Sequence, residues 1–113
     1  MPTANIFTSD NAHKEAIVAL SPQLRVMLAQ ELTSGSHRLT AHEISIRVIE
    51  VCIESSMIAP IEIEIKAHAY GDRAPRADQI CLDIRKFVKD NVPSAADVRV
   101  WIVLAELGHS WEE

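Results

Sequence analysis

A strand-like segment begins twice in this chain, each time at a proline: PTANIFTS from Pro2 and PIEIEIKAHA from Pro60, 58 residues apart. Each opening leads into a helix-period stretch and then a second β-rich run, ISIRVIEV in one copy and DVRVWIVL in the other. Residues 1–58 and 59–113 therefore read as two β-α-β repeats within one domain. A strand-helix-strand unit crosses over right-handed and places its two strands parallel. Two such units predict an α+β fold, with a four-stranded sheet and two helices on one face.

The second copy carries the cleaner pattern. Ile61, Ile63, Ile65, Ala67 and Ala69 alternate with Glu62, Glu64, Lys66, His68 and Tyr70, as in a strand with one buried and one wet face. Gly71-Asp72 breaks it, and Pro75 is placed to open a helix whose apolar face is Ile80, Ile84, Phe87 and Val88. Val98, Val100, Ile102 and Leu104 mark a last strand. In the first copy, Ala4, Ile6 and Thr8 define a short strand. Ile17, Leu20, Leu24, Met27 and Leu28 then fall on one helical face. Ser21-Pro22 suits an N-cap and first-turn pair, so this stretch reads as a kinked helix or as two helices joined near Leu20. His42 to Cys52 reads as the second strand. Val48 and Trp101 suggest that the face without helices is partly apolar, and that face or the sheet edges are expected to serve self-association.

Composition narrows the function. Apolar residues make up 48% and aromatics 4%, which describes a globular domain with an aliphatic core. No apolar run approaches the ~20 residues of a membrane span, and no basic-then-apolar leader opens the chain, so a cytoplasmic protein without a membrane partner is expected. The formal charge of −5, from 11 Lys and Arg against 16 Asp and Glu, argues against nucleic acid as a partner. Cys52 and Cys81 read as buried, reduced thiols. None of the five histidines pairs with Cys or carboxylates at zinc-like spacing, so no metal and no cofactor are expected.

The chemistry-bearing candidates are a proline and four arginines. Removal of Met1 would leave Pro2 with a secondary amine, a group that no side chain supplies. A neutral amine near pH 7 is a competent general base. Burial in an apolar pocket and nearby cations both favour that neutral form. Arg73 and Arg76, within GDRAPRADQ, stand where a guanidinium binds a carboxylate bidentately. The other reading is two solvated arginines at a helix start, where positive charge opposes the dipole. Arg47 and Arg99 hold matching places in the two second strands, Ile46-Arg47-Val48 and Val98-Arg99-Val100. They read equally as charges on the polar face of an alternating strand.

The order of these features resembles the tautomerase superfamily, which includes 4-oxalocrotonate tautomerase (4-OT), macrophage migration inhibitory factor and malonate semialdehyde decarboxylase. Residues 60–111 have the layout of one whole short tautomerase subunit: strand, arginine at the turn, helix, Asp-Val-Arg-Val strand and a Gly-His-Ser-Trp ending. The resemblance implies cofactor-free proton transfer on a small 2-oxo or 2-hydroxy-enoic acid, with Pro2 as base and a homotrimer as the assembly. It implies that Arg73 and Arg76 hold the substrate carboxylate, their R-x-x-R spacing being similar to that of the cis-3-chloroacrylic acid dehalogenase branch. It implies that Arg99, and by the repeat Arg47, polarises a substrate carbonyl in a neighbouring site, and that Trp111 walls the pocket. The chain departs from the pattern at DNAHKE, which lacks the arginine short tautomerases carry there. Dehalogenation or decarboxylation on the same residues is an alternative, as is a non-enzymatic oligomeric module. Pro60 lies mid-chain and offers no amine.

Overall fold

Strand β1 (Thr3–Thr8) lies in the middle of the molecule, because three other elements use its two edges and one face. The computed structural model describes residues 2–35, 38–52 and 55–106. After β1 come helix α1 (Asn11–Leu32), a 3₁₀ turn (Ala41–Glu43), β2 (Ser45–Glu50) and β3 (Ile61–His68). A second 3₁₀ turn (Ala74–Arg76), helix α2 (Ala77–Asn91) and β4 (Val98–Ala105) complete the order. The sheet order is β2-β1-β3-β4, with β1 parallel to β2, β3 parallel to β4, and the central pair antiparallel. This is the two-repeat arrangement expected from the sequence. The repeats meet at antiparallel β1 and β3, so Pro2 and Pro60 come to opposite ends of the sheet.

Register decides which residues enter the core. Ala4 pairs with Ile46 and Ile65, and Ile6 with Val48 and Ile63, so these side chains share the helix-covered face. Val98, Val100, Ile102 and Leu104 continue that face on β4. Ile17, Leu24 and Leu28 of α1 and Ile80, Ile84 and Val88 of α2 close over it with essentially no exposure. Each such aliphatic side chain contributes roughly 1.5–3 kcal/mol. Val48 is thus a core-side residue, half-buried against the cluster, and not part of the uncovered face as its sequence position suggested.

The uncovered face carries Phe7, Ile49, Trp101 and Val103 among charged residues, and the last three are 38%, 39% and 45% exposed. Arg47, Asn5, Glu64 and Trp101 form one cross-strand row there. Asn5 Nδ2 donates to Glu64 Oε1 at 3.2 Å, and Arg47 Nη1 to Asn5 Oδ1 at 3.4 Å. Asp97 binds Arg85 at 2.9 Å and Arg99 at 2.8 Å, which holds its carboxyl down at about 2.

Of the two readings of the first helical stretch, the structure excludes two separate helices: α1 is one continuous helix through Pro22, capped by Asp10, whose carboxylate accepts the His13 amide at 2.8 Å. Proline removes the bond to the carbonyl four residues back, that of Val18. Val18 and Pro22 are both exposed, where water can hydrate that carbonyl, and the Ser21 hydroxyl bonds Ile17 O at 3.0 Å. His42 lies in the 3₁₀ turn ahead of β2, fixed by a capping box between Thr40 and Glu43. Neither cysteine is buried either: Cys52 is exposed and Cys81 half-buried.

The last turn of α1 brings Glu31 against Asp83 of α2. Desolvation, and then the hydrogen bond and charge of Asp83, raise the Glu31 carboxyl to about 7, while Asp83 moves down. With its folded value above the unfolded 4.5, Glu31 makes the native state bind more protons, so its contribution to stability falls as pH rises from about 4.5 to 7. Glu31→Gln is therefore expected to stabilise the protein by about 1 kcal/mol at pH 8, a figure reduced for solvent screening. The gain should vanish near pH 5. Urea melts at the two pH values check this, and an equal difference at both would contradict it.

Candidate functional site

The end of the sheet where β1 begins gathers three of the candidate residues, Pro2, Arg73 and Arg76. Pro2 is buried, and its carbonyl accepts the Ser45 amide at 3.1 Å. Thr3 pairs with Lys66 on the antiparallel side, which sets Pro2 abreast of Ala67, one residue before His68. Arg73 reaches that same place: its Nη1 donates to His68 O at 2.7 Å and its Nε to Leu32 O at 2.8 Å. The Arg73 side chain is fully buried, with its guanidinium carbon 4.7 Å from the centre of the Tyr70 ring.

Arg76 is half-buried and turns to the same helix terminus. Its Nη1 donates to Glu31 O and its Nη2 to Thr33 O, both at 3.0 Å, while Nε binds Asp72 O at 3.0 Å. The last carbonyls of a helix have no intrahelical partner and carry the negative end of its dipole. Two arginines that look misplaced at the start of α2 are thus well placed for the end of α1. Together they fix two positive charges at the Pro2 end of the sheet.

Arg47 and Arg99 lie elsewhere, on the uncovered face. Arg99 stands abreast of Glu62, which pairs with Phe7. It is therefore five residues, or about 17 Å, along the sheet from Pro2. Within one chain it does not share a site with the proline. Trp111 lies outside the described residues. At the far end, Pro60 helps line a cavity of about 310 Å³ with Ser9, Cys52, Ser55, Met57, Ile58 and Ala59. Among the described residues, no cluster of three or more His, Cys, Asp or Glu side chains could hold a metal ion.

The pattern reading passed over Arg25 and His42, which the fold brings to the Pro2 end of β2. Arg25 Nε donates to Ile44 O at 3.2 Å. Both residues line a cavity of about 480 Å³ with Ser21, Ile44, Ser45 and Ile46. The hint in the sequence was that Arg25 flanks the apolar stripe of α1, next to Leu24.

The sequence matches no family model and no curated protein. Solved structures do match its fold over nearly its whole length. A fused 4-OT wild-type asymmetric trimer has a TM-score of 0.71 at 13% identity, covering 96% of this chain and 92% of the other. A fused 4-OT wild-type symmetric trimer gives 0.64 at 12%, covering 97% and 91%. The macrophage migration inhibitory factor-like protein of Entamoeba histolytica gives 0.65 at 14%, covering 99% and 94%. The fold is tautomerase-like. At these identities the likeness concerns the backbone, and the arginines of this chain have to be read from their own contacts. Among the described residues, no helix is long and apolar enough to cross a membrane.

Proposed function

We propose that this tautomerase-like chain is a cofactor-independent isomerase that moves a proton on a small 2-oxo or 2-hydroxy-enoic acid. The observation that carries this reading is the position of Pro2: buried, at the opening of the central strand, on the sheet end that holds Arg73 and Arg76. With Met1 removed, the Pro2 amine takes the proton from the enol hydroxyl and returns it to the neighbouring carbon as the carbonyl forms. No electrons enter or leave, so the step needs no redox partner.

Fixed positive charge near the amine favours its neutral form and also favours an anionic substrate. Arg76, the less enclosed of the pair, is the better placed to meet a carboxylate, with Arg73 holding the surrounding backbone and adding charge. Arg99 and Arg47 serve as polarising groups supplied by a neighbouring copy, and Trp111 serves as the wall. That arrangement requires a neighbouring copy, and the assembly we propose is a homotrimer, as in the fused 4-OT structures, with the apolar residues of the uncovered face as contact area. Light scattering should return three times the 12.6 kDa chain mass. A monomer would remove the route by which Arg99 reaches the proline.

A second reading is an oligomeric module without catalysis. The engagement of Arg73 and Arg76 with backbone carbonyls favours it, since those bonds serve the scaffold whether or not a substrate binds. One assay separates the two readings: conversion of 2-hydroxymuconate and phenylenolpyruvate by protein whose free Pro2 terminus is confirmed by mass. Turnover above the uncatalysed rate that is lost when the amine is blocked supports the isomerase. Rates equal to background support the module.

A further inference from the structure

Where α1 crosses the outer edge of β2, a groove is lined by Ser21, Arg25, His42, Ile44, Ser45 and Ile46. Arg25 is half-buried, and its Nε bond to Ile44 O sets the plane of the guanidinium. Its two terminal amines make no further hydrogen bond among the described residues. A guanidinium keeps its charge under all ordinary conditions and presents paired N–H groups at the spacing of an oxyanion.

The backbone adds a donor to the same groove. In the parallel ladder the Ser45 amide turns inward to Pro2 O, so the next amide, that of Ile46, turns to the outer edge. His42 is exposed on its 3₁₀ turn and offers a ring N–H in either protonation state. The nearest acidic residue in the sequence, Glu43, is occupied: its Oε1 accepts the Thr40 amide at 3.0 Å and the Thr40 hydroxyl at 3.3 Å. In a chain of net charge −5, the groove brings a guanidinium, a ring N–H and a strand-edge amide to one place. The cavity, about 480 Å³, is within the size range of small-ligand sites.

We propose that this groove is an oxyanion-binding site, in which a carboxylate or phosphate bridges the terminal amines of Arg25 and the Ile46 amide. The site goes beyond the proton-transfer reading and stands without it, since Pro2 lies on the inner side of β2 and takes no part in the contact. Carboxylate and phosphate share the chemistry, and two separate probes distinguish them.

The test is an NMR titration of isotope-labelled, full-length protein with sodium malonate and, separately, with inorganic phosphate, at constant ionic strength set by chloride. The expected result is saturable movement of the Ile46 and Ser45 amides and of the Arg25 Nε–H signal. Tighter malonate binding assigns the site to carboxylates, and tighter phosphate binding to phosphorylated ligands. Arg25→Gln should weaken binding about tenfold or more, while Arg38→Gln, which removes an exposed charge outside the groove, should leave it unchanged. If Arg25→Gln fails to fold, the Arg25 Nε–H and Ile46 signals of the unaltered protein still decide the question. Non-saturating shifts with both anions would overturn the proposal, as would shifts absent from Ile46. So would equal affinity in Arg25→Gln, or a change of assembly state with no change in affinity.

Discussion

Protein with a free Pro2 terminus is expected to ketonise a 2-hydroxy-enoate, protein that retains Met1 is expected to show only the uncatalysed rate, and Pro2→Ala is expected to fall between them. The ordering follows from the nitrogen. Behind Met1, the Pro2 nitrogen is a tertiary amide whose lone pair is delocalised into the carbonyl, so it cannot accept a proton. In Pro2→Ala a primary amine survives, but without the ring that fixes its direction relative to the substrate. General acid–base catalysis by a positioned group contributes about 10²–10⁴-fold. Loss of positioning alone should therefore lower kcat/KM by roughly 10²-fold, and blocking the amine should remove the whole enhancement. The three forms are compared by stopped-flow absorbance after mass confirmation of each terminus. Equal rates in the free and Met1-retaining forms would end the case for Pro2 as base, whatever the rates are.

Arg73→Ala should lower stability by about 3–5 kcal/mol, as much as truncating a fully buried leucine of the core. The guanidinium is fully buried and donates to Leu32 O and His68 O at 2.8 and 2.7 Å, so it ties the end of α1 to the end of β3. Removing it leaves both carbonyls short of a donor, each costing about 1–3 kcal/mol, and deletes the packing against Tyr70. The expected fall in Tm is about 10–20 °C. Arg73→Lys keeps the charge but lacks the fork that reaches two carbonyls in different directions, so it should recover part of the loss and not all of it. A Tm change of only one or two degrees in Arg73→Ala would show that the model of a cross-linking guanidinium is wrong. If Arg73→Ala kept full stability yet lost turnover, Arg73 would instead be a substrate contact.

Much of the scaffold is legible in the sequence alone. The alternation over Ile61 to Ala67 and the helical stripe of Ile80, Ile84 and Val88 depend on local periodicity, and both lie where that periodicity placed them. Pro22 left one helix and two helices both open because a break signal acts on one hydrogen bond, whereas α1 is held on both sides of Pro22 by burial from Ile17 to Leu32. Val48 misled because its side of the sheet depends on pairing with Ile6, a partner 42 residues away. The candidate site was legible only in part. Pro2 and the R-x-x-R turn stand out as residue types in unusual places, but Arg25 and His42 lie 17 residues apart with no spacing to connect them.

The sequence by itself determined that the chain is built twice over, since apolar spacing records which face each strand and helix must bury. It also placed a proline, Pro2, at the opening of the first strand. Only the tertiary structure decided what the arginines do. A guanidinium is satisfied by any set of oxygens within reach, and nothing local in GDRAPRADQ shows that the nearest are the carbonyls at the end of α1. The same holds for the β2 groove, whose donors come from α1, a 3₁₀ turn and a strand edge that meet only when the sheet has formed.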